Sequence, residues 1–134
     1  MAFYGSDLTG VTIPSSVTDI GTAAFFGCSD LTSITVAPPN AFYSSVDGVL
    51  FNQSQTTLLE YPEGKVGKYT IPDGVNGIET RAFDSCTSLT GVTVPDSVTM
   101  LGDAVFQSCT TLTRVTLPNG LTNVPNYVFF SVPA

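Results

Sequence analysis

One phrase recurs along this chain at a fixed interval, and that interval restricts the fold to stacked coils. Pro72, Pro95 and Pro118 stand 23 residues apart (118 − 95 = 95 − 72 = 23), as do Phe83, Phe106 and Phe129. Cys86 and Cys109 keep the same spacing, and so do Leu8 and Leu31, and Leu89 and Leu112. A period in the twenties marks a solenoid, in which each unit is one coil that buries its apolar side only by stacking on neighbours. Function on such a scaffold is expected on a surface rather than in a pocket.

Counted from their first apolar residue, the units begin at Leu8, Leu31, Val66, Leu89 and Leu112. Each carries an inward triplet: Leu8, Val11 and Ile13; Leu31, Ile34 and Val36; Val66, Tyr69 and Ile71; Leu89, Val92 and Val94; Leu112, Val115 and Leu117. The i, i+2 step closing each triplet is strand periodicity, with the intervening Thr outward. Pro14, Pro72, Pro95 and Pro118 then end the strand, because proline brings no N–H to a ladder. The pairs Val17 and Ile20, Val75 and Ile78, Val98 and Leu101, and Leu121 and Val124 predict a second short strand across the coil. Gly21 and Gly102 read as turns, and Ala24-Phe25, Ala82-Phe83 and Val105-Phe106 as one tight helical turn.

The second unit is longer, 35 residues from Leu31 to Val66 (66 − 31 = 35). Asp47-Gly48 between apolar runs signals a two-residue hairpin, since both positions need positive φ. A further pairing of Val49–Phe51 with Leu58–Tyr61 is expected around Asn52–Thr56, giving a meander that bulges from the solenoid. Asn52-Gln53-Ser54 also fits the glycosylation acceptor pattern. The expected organisation is one solenoid over residues 1–134, with the variant unit at 31–65 carrying the hairpin excursion. Both ends fall in mid-repeat: Ala2–Leu8 reads like Ala24–Leu31 with one residue missing at the cysteine, and Val132 stands where the next Cys is due. Neither end shows a capping unit. A fragment of a longer array is therefore expected, with end-to-end self-association through the uncapped ends.

These residues carry a resemblance. Leu-Thr-x-Val-Thr-Val-Pro-x-x-Val-Thr, followed by Ala-Phe-x-x-Cys, resembles the BspA-like leucine-rich repeat, the bacterial surface antigen type. Tyr43–Asn52 with Thr56–Pro62 resembles the variant unit interleaved in such arrays. The resemblance implies a β-rich leucine-rich-repeat solenoid, wound as a right-handed superhelix. A parallel sheet lines one face, with short strands or single helical turns on the other. It also implies a cell-surface or extracellular location and adhesion to a protein or glycan on a host or neighbouring cell. It transfers no ligand-contact residues. The chain departs from the pattern at its short first unit, at Ala37 where Pro is expected and at Pro125 where Gly is expected.

Composition excludes several other classes. The formal net charge is −7 and the only cations are Lys65, Lys68, Arg81 and Arg114, which argues against nucleic acid. No stretch approaches the ~20 apolar residues of a membrane-spanning helix, so membrane insertion is not expected. Histidine is absent, which removes Ser-His and Cys-His nucleophile pairs and His-bearing metal sites. Cys28, Cys86 and Cys109 share one repeat position and read as small buried residues beneath Phe. A Cys86–Cys109 disulfide or a thiolate metal ladder are the alternatives. The carboxylates, among them Asp7, Asp30, Asp73, Asp84, Asp96 and Asp103, read as solvated turn residues with no calcium loop. No catalytic residue, metal or cofactor is expected.

One outward feature recurs. Thr12, Thr35, Thr70, Thr93 and Thr116 hold equivalent positions and are expected to form a ladder with rungs about 4.8 Å apart. Beside them stand Gly10, Ser33, Lys68, Gly91 and Arg114. The candidate binding face is therefore Thr12, Ser33, Thr35, Lys68, Thr70, Thr93, Arg114 and Thr116. Exposed strands favour Thr on β-propensity alone, so a structural spacer or stalk is the alternative to a non-catalytic adhesion module. An ice-binding solenoid and an unrecognised carboxylate enzyme are remoter readings.

Overall fold

The apolar triplets of the repeat form short strands in the computed structural model, which describes residues 3–21 and 24–132. With those of the variant unit and of the second segment, the strands in chain order are β1 (Gly10–Ile13), β2 (Ser33–Val36), β3 (Tyr43–Val46), β4 (Val49–Asn52) and β5 (Thr57–Glu60). They are followed by β6 (Gly67–Thr70), β7 (Gly77–Ile78), β8 (Leu89–Thr93), β9 (Met100–Leu101) and β10 (Arg114–Thr116). The strands wind as a β-solenoid of about five turns, with no helix among the described residues.

One wall is built from the triplet strands. β1 pairs parallel with β2, and β6, β8 and β10 form a parallel sheet with β8 in the centre. Pro14, Pro72, Pro95 and Pro118 close these strands, and their carbonyls accept the N–H groups of Val17, Val75, Val98 and Leu121 at 3.1–3.3 Å. Each proline thus stops a ladder and starts a turn. The opposite wall is the parallel set β5, β7 and β9, with Leu58, Ile78 and Leu101 in register.

The Ala-Phe segment is not the helical turn predicted. Every second N–H is committed to the next coil: those of Arg81, Phe83 and Ser85 donate to the carbonyls of Asp103, Val105 and Gln107, while those of Ala82, Asp84 and Cys86 close isolated turns onto Glu79, Arg81 and Phe83. Ala104, Phe106 and Ser108 repeat the pattern onto Asn126, Val128 and Phe130. Alternate residues donating sideways make a ladder, which leaves too few donors for helical bonding. The chain bends instead at left-handed residues, with φ near 60° at Arg81, Ala104 and Tyr127 and again at Ser85, Ser108 and Ser131.

The variant unit forms the meander, but it does not bulge. Asp47 and Gly48 have φ of 52° and 79° and join β3 to β4. Asn52 shapes the next loop: its Oδ1 accepts the N–H groups of Thr56 and Thr57, and its Nδ2 donates to Thr56 Oγ1. The acceptor amide of the glycosylation pattern is therefore engaged within its own loop. Val49, Leu50 and Phe51 are buried at 0%, 2% and 0% exposure. Strand alternation sends Val49 and Phe51 into one hydrophobic cluster with Phe83 and Phe106, and Leu50 into another with Phe25 and Ile34. Three consecutive apolar residues need cover on both faces, so β4 lies inside the solenoid and divides its core.

Five further positions differ from expectation. Val66 is 77% exposed, because a register shift between Gly67 and Lys68, with Gly67 at φ 101°, turns it away from the core. Gly102 is needed for close approach, since a Cβ there would collide with the main chain of Thr80. Val124 and Phe129 lie on the last described coil and are 50% and 38% exposed. At the other end Ser6 occupies the cysteine's place, its Oγ 3.3 Å from Cys28 Sγ. Phe3 and Tyr4 stack on Phe25 and Phe26, so the missing residue falls after Ser6.

Candidate binding face

All five ladder threonines are exposed, but they form two patches. Thr12 and Thr35 are register partners on β1 and β2, and Thr70, Thr93 and Thr116 align on β6, β8 and β10. The hairpin tip lies against β2: the N–H of Ile34 donates to Gly48 O at 2.8 Å, and that of Val36 to Ser45 Oγ at 2.9 Å. Ser33 is half-buried under this tip, where a Cβ on Gly48 would lie 2.9 Å from its Oγ. One patch therefore holds Thr12, Ser33 and Thr35. The other holds Lys68, Thr70, Thr93, Arg114 and Thr116.

The second patch carries the charge. Lys68 and Arg114 are both register partners of Gly91, so they stand two rungs apart, about 10 Å. A Cβ on Gly91 would meet Lys68 Cγ at 3.4 Å, so the lysine stem lies across the central strand where there is no side chain. Both cations are exposed, and neither pairs with a carboxylate among the described residues, where the only ion pair is Arg81–Asp84.

A second threonine column, unremarked in the sequence, has a structural part. The N–H and Oγ1 of Thr32 both donate to Thr9 O, and those of Thr113 both donate to Thr90 O. The repeated Leu-Thr pair was the signal: Thr32 and Thr113 each tie their coil to the one before.

The three cysteines are free and fully buried. Their thiols donate to carbonyls of the preceding coil, Cys28 to Phe3 and Cys109 to Phe83 at 3.0 Å, and Cys86 to Tyr61 at 3.7 Å. Burial first, and then neighbouring Cys109, pushes the Cys86 thiol well up. Tyr61 fills the phenylalanine position of the variant unit, with its ring 4.9 Å from that of Phe83. Phe83, Phe106 and Phe129 continue the stack at 5.1 and 5.8 Å.

Not every carboxylate is a solvated turn residue. Asp84 and Glu63 are each 4% exposed. Glu63 Oε1 accepts the N–H of Gly27 at 2.7 Å. Burial raises this carboxyl to about 7, against the pull of that hydrogen bond and with help from the charge on Asp84. Asp84 is raised by burial, opposed by the Ser85 hydroxyl at 3.0 Å and by Arg81 at 3.8 Å. Half-buried Glu60 is raised well above its usual range by burial, then by Glu63 and Asp84. Glu60 also lines a cleft of about 230 Å³ with Glu79, Ile20, Phe25, Tyr43 and Leu50. Asp84 was expected to be a solvated turn residue and is buried instead, and Glu60 and Glu63 were not singled out, because nothing in their local sequence announces burial.

A family model described as BspA type Leucine rich repeat region matches residues 1–69 and 61–133, in six copies. Among solved structures, the chain is similar to a leucine rich cell surface protein from Faecalibacterium prausnitzii, at 39% identity and TM-score 0.83. The match covers 93% of this chain and 34% of that one. It is also similar to the pneumococcal vaccine antigen PcpA, at 29% identity and TM-score 0.80, over 85% of this chain and 28% of the antigen. A leucine-rich repeat protein from Eubacterium ventriosum matches at 26% identity and TM-score 0.71, over 92% of this chain and 40% of that one. The chain thus spans between about a quarter and two fifths of these proteins. No curated protein matches it.

Proposed function

The chain belongs to the BspA type leucine-rich-repeat family, and from that premise we propose that it is a non-catalytic binding module of a cell-surface or extracellular protein. Its contact face is the patch of Lys68, Thr70, Thr93, Arg114 and Thr116, and its partner is an acidic protein or glycan. The observation that carries this reading is the alignment of two unpaired cations beside three exposed threonines, in a chain whose net charge is −7. The description of one similar protein as a cell surface protein, and of another as a vaccine antigen, supports the location. The absence of histidine supports a role without catalysis.

The test is binding to immobilised sulfated and sialylated glycans and to acidic proteins, at low and physiological salt. Replacing Lys68 and Arg114 together by Ala should weaken binding at least tenfold, about 1.4 kcal/mol, with no loss of thermal stability. Binding that survives the double replacement unchanged would move the site off this face. A chain that binds none of the panel would favour the spacer reading.

A further inference from the structure

The dipeptide Asn-Gly occurs twice in this chain, at Asn76-Gly77 and at Asn119-Gly120. It is a labile setting for an asparagine amide, because glycine puts no side chain between its own nitrogen and the amide carbon before it. The fold treats the two copies differently. At Asn76-Gly77 the main chain is locked. Both N–H groups donate to Thr56 O, at 2.7 and 3.2 Å, and Asn76 O accepts those of Thr99 and Met100 at 3.0 and 3.3 Å. Gly77 is buried in β7, in register with Thr57 on one side and Met100 on the other. Its nitrogen is held toward the neighbouring strand and does not swing onto the Asn76 side chain while the sheet is intact.

Asn119-Gly120 is open. Both residues are exposed, in a turn closed by the Leu121 N–H on Pro118 O at 3.3 Å. A Cβ on Gly120 would meet nothing within 4 Å, and among the described residues its N–H has no acceptor. This openness belongs to the repeat position. Gly74 and Ser97 hold the same place (120 − 97 = 97 − 74 = 23), both are exposed, and among the described residues their N–H groups are equally free. Ser97 lies on the coil of β8, which has a neighbour on each side. Flanking coils therefore leave the position uncovered.

We propose that Asn119 is a site of spontaneous deamidation, and that the sheet protects Asn76 from the same reaction. The Gly120 nitrogen attacks Asn119 Cγ, and a new C–N bond forms as the amide C–N bond breaks. The amide nitrogen departs as ammonia, taking the proton from Gly120. Water then adds to one of the two carbonyls of the cyclic imide and reopens it. One opening gives an aspartate at position 119, the other an isoaspartate whose main chain is one carbon longer. Either product adds one negative charge, taking the chain from −7 to −8 (−7 − 1 = −8). The repeat already carries Asp73 and Asp96 at the equivalent positions, so the aspartate form extends that column. This inference is independent of the Lys68–Arg114 face.

Ageing the whole native chain at mildly alkaline pH tests it, since the attacking nitrogen must shed its proton. Trypsin cuts after Lys68, Arg81 and Arg114, so Asn76 and Asn119 fall in separate peptides, 69–81 and 115–134. Fragment masses should show position 119 gaining one mass unit and splitting into two isomers. That change should run at least tenfold faster than the one at position 76, about 1.4 kcal/mol of barrier. In chain aged in denaturant the two rates should converge. Gly120→Ala, placed in open space, should slow the change at 119 with unchanged circular dichroism. Equal rates at the two sites in the native chain would overturn the proposal. So would a position 119 that reacts only after denaturation, or a Gly120→Ala chain that ages as fast as its parent.

Discussion

The carboxylate of Glu63 accepts the amide N–H of Gly27 at 2.7 Å, linking a turn of the N-terminal core to the strap that leaves β5. Gly27 adjoins Cys28 of one hydrophobic cluster and Glu63 follows Tyr61 of the other, and the carboxylate is nearly dehydrated. An acid in that position prefers its proton.

The expected consequence is a protein that grows more stable on mild acidification. Folded Glu63 titrates at about 7, while an unfolded glutamate titrates at about 4.3. As pH falls through 7 the native state takes up a proton that the unfolded chain does not, so stability rises down to about pH 4 and is lost as pH climbs back. Glu60 and Asp84 are raised as well and act in the same direction. Glu63→Gln should stabilise by roughly 3 kcal/mol at pH 8, change little at pH 4, and flatten the intervening slope. Denaturant melts at stepped pH measure it, and an unchanged slope in the variant would assign the dependence elsewhere.

The cysteines should be silent until the fold opens. All three are fully buried, and each thiol is bonded to a carbonyl of the coil before. A thiol-reactive dye should label well under one site per native molecule and three after denaturation, without reductant. Fewer than three in the denatured, unreduced sample would reveal a disulfide.

Val66 and Leu89 head equivalent units in the sequence but should respond oppositely to truncation. Val66 is 77% exposed and Leu89 fully buried. Val66→Ala should shift stability by no more than about 0.5 kcal/mol, whereas Leu89→Ala should cost about 2–5 kcal/mol. Chemical denaturation of the two variants settles the register of the third unit.

Two glycines separate close approach from open turn. Gly102 has no room for a Cβ against the Thr80 main chain, while Gly120 has nothing within 4 Å. Gly102→Ala should destabilise by about 1–3 kcal/mol or more, and Gly120→Ala should stay within about 0.5 kcal/mol. Equal effects would mean that the main chain at Gly102 and that at Thr80 are not packed as described.

The parts of this fold that were readable from residues are those set by the repeat. Pro72, Pro95 and Pro118 marked strand ends because a missing donor acts locally, and Asp47-Gly48 marked a hairpin because positive φ is a property of those two residues. What escaped depends on which coil lies next door. The Ala-Phe segment looks helical until its N–H groups are seen donating to the neighbouring coil. Val66 looks apolar and inward until a register shift at Gly67 is known. On the candidate face, the threonines were legible as a column. Its division into two patches was not, because the hairpin that separates them reaches across from its own unit.

β4 contributes to both hydrophobic clusters of this chain. With Leu50 facing one core and Val49 and Phe51 facing another, it acts as a bulkhead between two compartments. Phe83 is in ring contact with Phe106, and Phe106 with Phe129, while among the described residues none of these rings stacks on one from the far side of the wall. Truncation of a core residue on one side of β4 is therefore expected to leave the packing of the other cluster in place.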